Sequence, residues 1–209
     1  MQQLLTGKRR FPEFSEQWRQ HRLGSLFAER KEVGRVELPL LSITAIRGVI
    51  LREKIDRKDS SAADKSKYKR LAPSDIGYNT MRMWQGVSAQ SDLEGIVSPA
   101  YTICVPGPEI DADFAAYLFK FPPIVHLFRR YSQGLVDDTL SLKYPNYAQI
   151  SDRIPTIPEQ KRFAEVLRTV DHEIALLNDQ LDVLKLQKKG LMQRLLTGKF
   201  RVPVKGETR

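Results

Sequence analysis

Towards the C-terminal end, apolar residues recur at alternating steps of four and three: Phe163, Leu167, Val170, Ile174, Leu177, Leu181, Leu184, then Lys188, then Leu191 and Leu195. This heptad seam predicts a helix whose apolar stripe is the narrow one of a coiled coil, not the broader stripe of a helix lying on its own domain. The start is marked by Thr156 and Glu159, spaced as a capping box, and by Pro158, whose missing N–H costs nothing in a first turn; Gly198 supplies the stop. A helix over 156–198 would be on the order of 60 Å long at about 1.5 Å per residue. No body of this size covers such a length, so the seam needs a second helix from outside the chain. Lys188 is either a register device or a side chain that snorkels to the edge.

Upstream the pattern is mixed. The segments 38–46 (LPLLSITAI), 48–51 and 95–105 (GIVSPAYTICV) are rich in Ile, Val, Thr and Tyr and read as strands, whereas 112–121 (ADFAAYLFKF) reads as a helix stopped by Pro122 and Pro123. The predicted fold is an α/β (α+β) domain over 14–155, followed by the long helix over 156–198 and a basic tail over 199–209.

Composition narrows the function classes. The chain has 209 residues, 41% hydrophobic and 28% charged, the balance of a soluble folded protein. It contains no apolar run near the roughly 18 residues that span a bilayer, and MQQLLTGKRR lacks the apolar stretch of a signal peptide, so a cytoplasmic location is expected. Cys104 is the only cysteine, and His21, His126 and His172 are scattered, so neither a disulfide nor a structural metal is expected. The net charge of +9 favours a polyanionic partner, because each phosphate neutralised by Lys or Arg releases condensed counterions.

The charges fall in three groups. The Ser- and Ala-rich stretch 52–70 carries Lys54, Arg57, Lys58, Lys65, Lys67, Lys69 and Arg70 and reads as an exposed loop. A second group joins Arg82 and Gln85 around Trp84, and a third, in 128–147, offers Arg129, Arg130, Gln133 and Lys143 with Tyr144 and Tyr147. Lys and Arg suit phosphate contacts, while Arg and Gln can bond base edges bidentately, which makes Arg82 and Gln133 candidates for base reading. A solvated basic surface is the plain alternative for any single lysine, and Trp84, Tyr144 and Tyr147 read as core aromatics.

Motifs for bond chemistry are poor. Glu29-Arg30-Lys31 imitates an acid-x-Lys pair, and Asp137 and Asp138 lie near Lys143, but no further acid is spaced to complete a Mg²⁺ site. Phe121-Pro122-Pro123-Ile124 lacks the leading Asp or Asn of an adenine methyltransferase tetrapeptide, and no Gly-rich cofactor or phosphate loop is present. A site-specific Mg-dependent nuclease and a pure coiled-coil scaffold remain the alternative classes.

The two ends repeat each other. Residues 1–12, MQQLLTGKRRFP, align with 192–203, MQRLLTGKFRVP, differing only at Gln3/Arg194, Arg9/Phe200 and Phe11/Val202. The chain thus opens, over 1–13, on the helix-end motif with which it closes. The segments GLMQRLLTGKFRVP (190–203) and IPTIPEQKRFAEVL (154–167) resemble the end and the Pro-rich start of the spacer helix in type I restriction-modification specificity subunits; 18–32 and 95–106 are similar to parts of their recognition domains. The resemblance implies a half-length form with one target-recognition domain and one spacer helix, non-catalytic, that directs partners to double-stranded DNA. Those partners would be methyltransferase subunits, which would carry S-adenosylmethionine, and a restriction subunit. It further implies a homodimer through antiparallel helices, a bipartite site with inverted half-sites, and an N-terminal stub packed near the start of the partner's helix.

Overall fold

The structure, a computed structural model, describes residues 2–55 and 62–200. It divides into two compact units, Met1–Ala164 and Glu165–Arg209. In chain order the elements are α1 (Gln2–Leu5), β1 (Arg19–Arg22), α2 (Leu23–Leu26), β2 (Phe27–Glu29), β3 (Leu41–Thr44), β4 (Gly48–Leu51), β5 (Lys69–Leu71), β6 (Ile76–Asn79), β7 (Ser88–Gln90), β8 (Gly95–Val97) and β9 (Tyr101–Pro106). They continue with α3 (Ala112–Leu118), α4 (Pro122–Tyr131), α5 (Tyr144–Tyr147), β10 (Ser151–Ile154) and α6 (Ile157–Leu196). Short 3₁₀ turns at Arg52–Lys54, Met83–Gln85 and Asp137–Thr139 lie between them.

The first unit is built on a four-stranded antiparallel sheet in the order β2-β9-β6-β7, with the antiparallel strand pairs β1-β10, β3-β4 and β5-β8 around it. Its pairing is that of an α+β domain. In β9 the consecutive residues Thr102, Ile103 and Cys104 are all buried, the signature of a central strand covered on both faces. Ile103 packs with Leu41, Ile43, Leu71 and Val97 on one face. Cys104 joins the larger core of Leu23, Phe27, Tyr78, Phe114, Phe119, Phe128, Tyr147 and Phe163 on the other. Gly77 in β6 makes the smaller core possible: a Cβ there would sit 2.2 Å from the Ile43 side chain.

The helices follow local chemistry. The Asp111 carboxylate caps α3 by accepting from Phe114 N at 2.9 Å. The helix expected over 112–121 ends earlier, at Leu118, and Pro122 and Pro123 occupy the first turn of α4, a helix absent from the sequence reading because a Pro-Pro pair signals a break before it signals a start. The expected strand at 95–105 is two strands, β8 and β9, with 98–100 between them.

The second unit is the greater part of α6, which begins at Ile157 and ends two residues before Gly198, whose φ of +70° is the left-handed conformation of a helix stop. Along it Val170, Ile174, Leu177, Leu181, Leu184, Leu191 and Leu195 are exposed, about half of Leu177 and Leu184 facing solvent. Among the described residues no helix is long and apolar enough to cross a membrane.

Candidate nucleic-acid interface

The second and third charge groups form one face. The 3₁₀ turn carrying Trp84 and Gln85 closes at Gly86, whose φ of +74° favours glycine. Lys120 holds this turn from below, its Nζ donating to Gly86 O at 2.7 Å and Ser88 O at 2.6 Å, and burial pushes its ammonium below the usual lysine range. Above the turn, the last residues of α4 bring Arg129 over the Trp84 ring, 5.2 Å from its centroid. The indole Nε1 donates to Met81 O at 3.1 Å, and Arg129 also donates to Asp137 Oδ1 at 2.7 Å. Trp84 is therefore a half-buried platform under a guanidinium instead of a core aromatic, whereas Tyr147 is fully buried as expected.

The loop after α4 is fixed in the same neighbourhood. Gln133 and Ser141 exchange two backbone bonds at 2.9 and 2.8 Å, and the Thr139 hydroxyl accepts from Leu135 N and Val136 N at 3.2 Å. Leu142 N donates to Thr80 O at 2.9 Å, which sets Lys143 close to the segment leading to Arg82. Arg82, Gln85, Arg129, Arg130, Gln133 and Lys143 thus come from two regions far apart in sequence, 82–85 and 129–143, and all are exposed. Among the described residues none forms a side-chain ion pair or hydrogen bond with Arg82, Arg130 or Lys143, so their charge is open to an anionic partner. Leu135, fully exposed at the tip of the loop, has no counterpart in the sequence reading, because an apolar residue in a polar stretch gives no periodic signal.

The first group is divided. Lys54 and Lys67 are exposed and Lys65 is half-buried, while Arg57 and Lys58 lie outside the described residues. Lys69 and Arg70 correct the expectation of an all-exposed basic loop: they belong to β5 and are used internally. Lys69 Nζ donates to Tyr101 O at 2.7 Å, and Arg70 bonds Glu32 at 2.9 Å and Glu94 at 2.6 Å. A basic run read one residue at a time gives no sign of the acids that fold against it.

At the start of α6 the structure corrects two more readings. Phe163 is fully buried in the first unit's core, its ring 5.1 Å from Phe11 and 6.0 Å from Trp18, and Leu167 is buried too, so the seam open to another helix begins at Val170. The Glu159 carboxylate does not complete a capping box. It accepts Arg10 Nε at 2.9 Å, an Arg10 terminal nitrogen at 2.7 Å and Trp18 Nε1 at 3.1 Å. The N-terminal stub therefore packs on the start of its own chain's helix.

Several of the residues weighed for cleavage have structural partners. Glu29 meets Lys31 at 3.6 Å, Arg30 holds buried Asp75 by two bonds at 2.7 and 3.0 Å, and Asp137 is the partner of Arg129. Among the described residues no group of three or more His, Cys, Asp or Glu is placed to hold a metal ion.

No protein-family model matches the sequence. Over 89 residues the chain is 27% identical to a type I restriction enzyme MjaX specificity subunit of Methanocaldococcus jannaschii, a match covering 43% of this chain and 21% of that protein. Among solved structures it is similar to a chain from a study of complex assembly and conformational transition of the type I R-M system, with a TM-score of 0.61 and 16% identity over 96% of this chain and 51% of that one. The HsdS subunit from Thermoanaerobacter tengcongensis gives a TM-score of 0.55 at 14% identity, covering 92% of this chain and 49% of that one. The type I S subunit from M. genitalium gives 0.53 at 13%, covering 88% and 47%. The chain spans about half the length of these solved relatives. The chain thus shares with these solved subunits a fold of one mixed domain followed by a long helix, and over part of its length it is similar in sequence to a curated type I specificity subunit.

Proposed function

We propose that the chain selects DNA sequences for a type I restriction-modification system and performs no bond chemistry itself. The observation that carries this is the exposed face of Arg82, Gln85, Arg129, Arg130, Gln133 and Lys143, on a body joined to a helix with an open heptad seam. The face offers the donors that bind phosphates and read base edges, and the helix offers apolar surface for protein partners. Methylation and cleavage then belong to partner subunits: a methyltransferase subunit that brings S-adenosylmethionine and docks mainly on the helix, and a restriction subunit.

The same reading includes a homodimer. An exposed seam from Val170 to Leu195 is covered most simply by a second copy running antiparallel under closed two-fold symmetry. Two identical recognition bodies then read inverted half-sites. Selection of bound sites from a random DNA pool, with light scattering at micromolar concentration, tests both parts. An enriched inverted, interrupted site bound by a dimer is expected; no enrichment overturns sequence recognition, and a monomer overturns the pair. Methyl transfer by the purified chain alone would refute the non-catalytic assignment.

A further inference from the structure

Over the described residues 192–200 the second copy of the end motif folds like the first, yet its surroundings are not the same. At the N-terminal copy, Gly7 N donates to Leu4 O at 3.0 Å, Arg9 N to Gln3 O at 3.0 Å and the Thr6 hydroxyl to Gln3 O at 3.2 Å. At the C-terminal copy, Gly198 N donates to Leu195 O at 3.1 Å, Phe200 N to Arg194 O at 3.1 Å and the Thr197 hydroxyl to Arg194 O at 3.4 Å. The two glycines have φ of +68° and +70°. Both copies close the helix with the same backbone bonds at the glycine and two residues on, and the Thr197 hydroxyl also donates to Gln193 O at 2.6 Å.

Their surroundings differ. Leu5 is buried, Gly7 lies under the Trp18 ring, where an added Cβ would come within 3.6 Å, and Phe11 packs on Phe163. Arg10 joins the fully buried Glu159 by two bonds. In the other copy Leu196, the counterpart of Leu5, is 81% exposed and Phe200 is 54% exposed, while the counterpart of Arg10 in the sequence is Arg201. The chain thus has two keys of one shape and a single lock made of Trp18, Glu159 and Phe163.

We propose that this lock also accepts the C-terminal copy, 192–203, of a second chain, with Arg201 taking the place of Arg10 on Glu159 and Leu196 that of Leu5. The exchange is balanced in charge, because a carboxylate buried as Glu159 is needs a cation whichever copy is seated. It is unequal in packing: Val202 offers no ring to Phe163, so the chain's own stub is the preferred occupant and the second chain's end is the weaker one. Such an exchange of like elements links copies at low cost, and any association that brings the ends together raises its occupancy through local concentration. The inference stands on the repeat and the lock and does not require the DNA reading.

The test uses the full chain. Cys104 is buried, so a G206C variant takes a nitroxide selectively at the C-terminal end. Mixed with ¹⁵N-labelled unmodified chains, it should broaden the Trp18 indole resonance of the labelled copies, and R201A in the nitroxide-bearing chain should abolish that broadening. W84F in the labelled chain assigns the signal, since the sequence has only two tryptophans. No intermolecular broadening, or broadening that survives R201A, overturns the exchange. Light scattering on the same samples separates this result from the helix pair, for a dimer whose broadening persists in R201A keeps the pair and loses the lock. As a second readout, a synthetic 190–205 peptide should shift the Trp18 emission of an R10A/W84F chain saturably and bind at least tenfold more weakly with R201A or to the W84F chain with Arg10 intact; equal binding by all three combinations overturns the proposal.

Discussion

Asp152 in β10 sits where burial raises its carboxyl above the ordinary aspartate range, against the opposing pull of the Arg153 backbone N–H, which donates to it at 2.8 Å. A carboxyl whose folded pKa is raised binds its proton more tightly in the folded state, so the ionised form costs stability above that pKa, and the cost disappears as pH falls below the unfolded value. Asp152→Asn is therefore expected to stabilise the chain at neutral pH, read as a higher urea midpoint. The gain over wild type should shrink to nothing as denaturation is repeated towards pH 3.5; a gain that holds constant with pH would point to packing instead. Glu159 is held by its partners. Replacing it by Ala leaves Arg10 and Trp18 Nε1 without their acceptor and should lower stability by about 3 kcal/mol in urea denaturation. The capping-box spacing drew attention to Glu159 correctly and assigned it the wrong partner, because Arg10 lies at the far end of the sequence and only the fold brings it there.

At the scale of elements, the two basic regions should behave differently. Lys54, Lys65 and Lys67 changed together to Ala should weaken binding to every DNA sequence and make the salt slope shallower by about one for each phosphate no longer neutralised, leaving specificity intact. Lys69 is better left in place, since its ammonium ties β5 to Tyr101. An Arg82→Ala or Gln133→Ala change should instead relax one base position at a cost of about 1–3 kcal/mol there, read by comparing half-site variants. For α6, Leu181→Asp should convert a dimer to a monomer, whereas Lys188→Leu should tighten it by restoring the seam; a dimer unaffected by either change would place the interface elsewhere. Helix and stop were legible because a periodic stripe and a terminal glycine are local signals, whereas the same periodicity gave no sign that its first two positions, Phe163 and Leu167, are buried. The α4 helix and the Trp84–Arg129 stack were not legible, since one depends on reading Pro-Pro as a beginning and the other on a pairing across 45 residues of chain.

For the whole molecule, the repeat at the ends said most about architecture, and the resemblance it carried led to the fold shared with the solved subunits. What no residue pattern could supply was the gathering of two distant segments into one face. The length of α6 has a further consequence if the two bodies are set apart by a helix pair. Excising one heptad, 178–184, keeps the seam in register while shortening the pair by about 10 Å. That corresponds to about three base pairs at roughly 3.4 Å each, and, at about 10.5 base pairs per turn, to a rotation of about 100° around the duplex. The shortened protein should accordingly select the same half-sites with a gap about three base pairs smaller, so the helix would set rotational phase as well as distance, and a heptad would be the unit in which one protein could acquire a new site without altering a single base-reading residue.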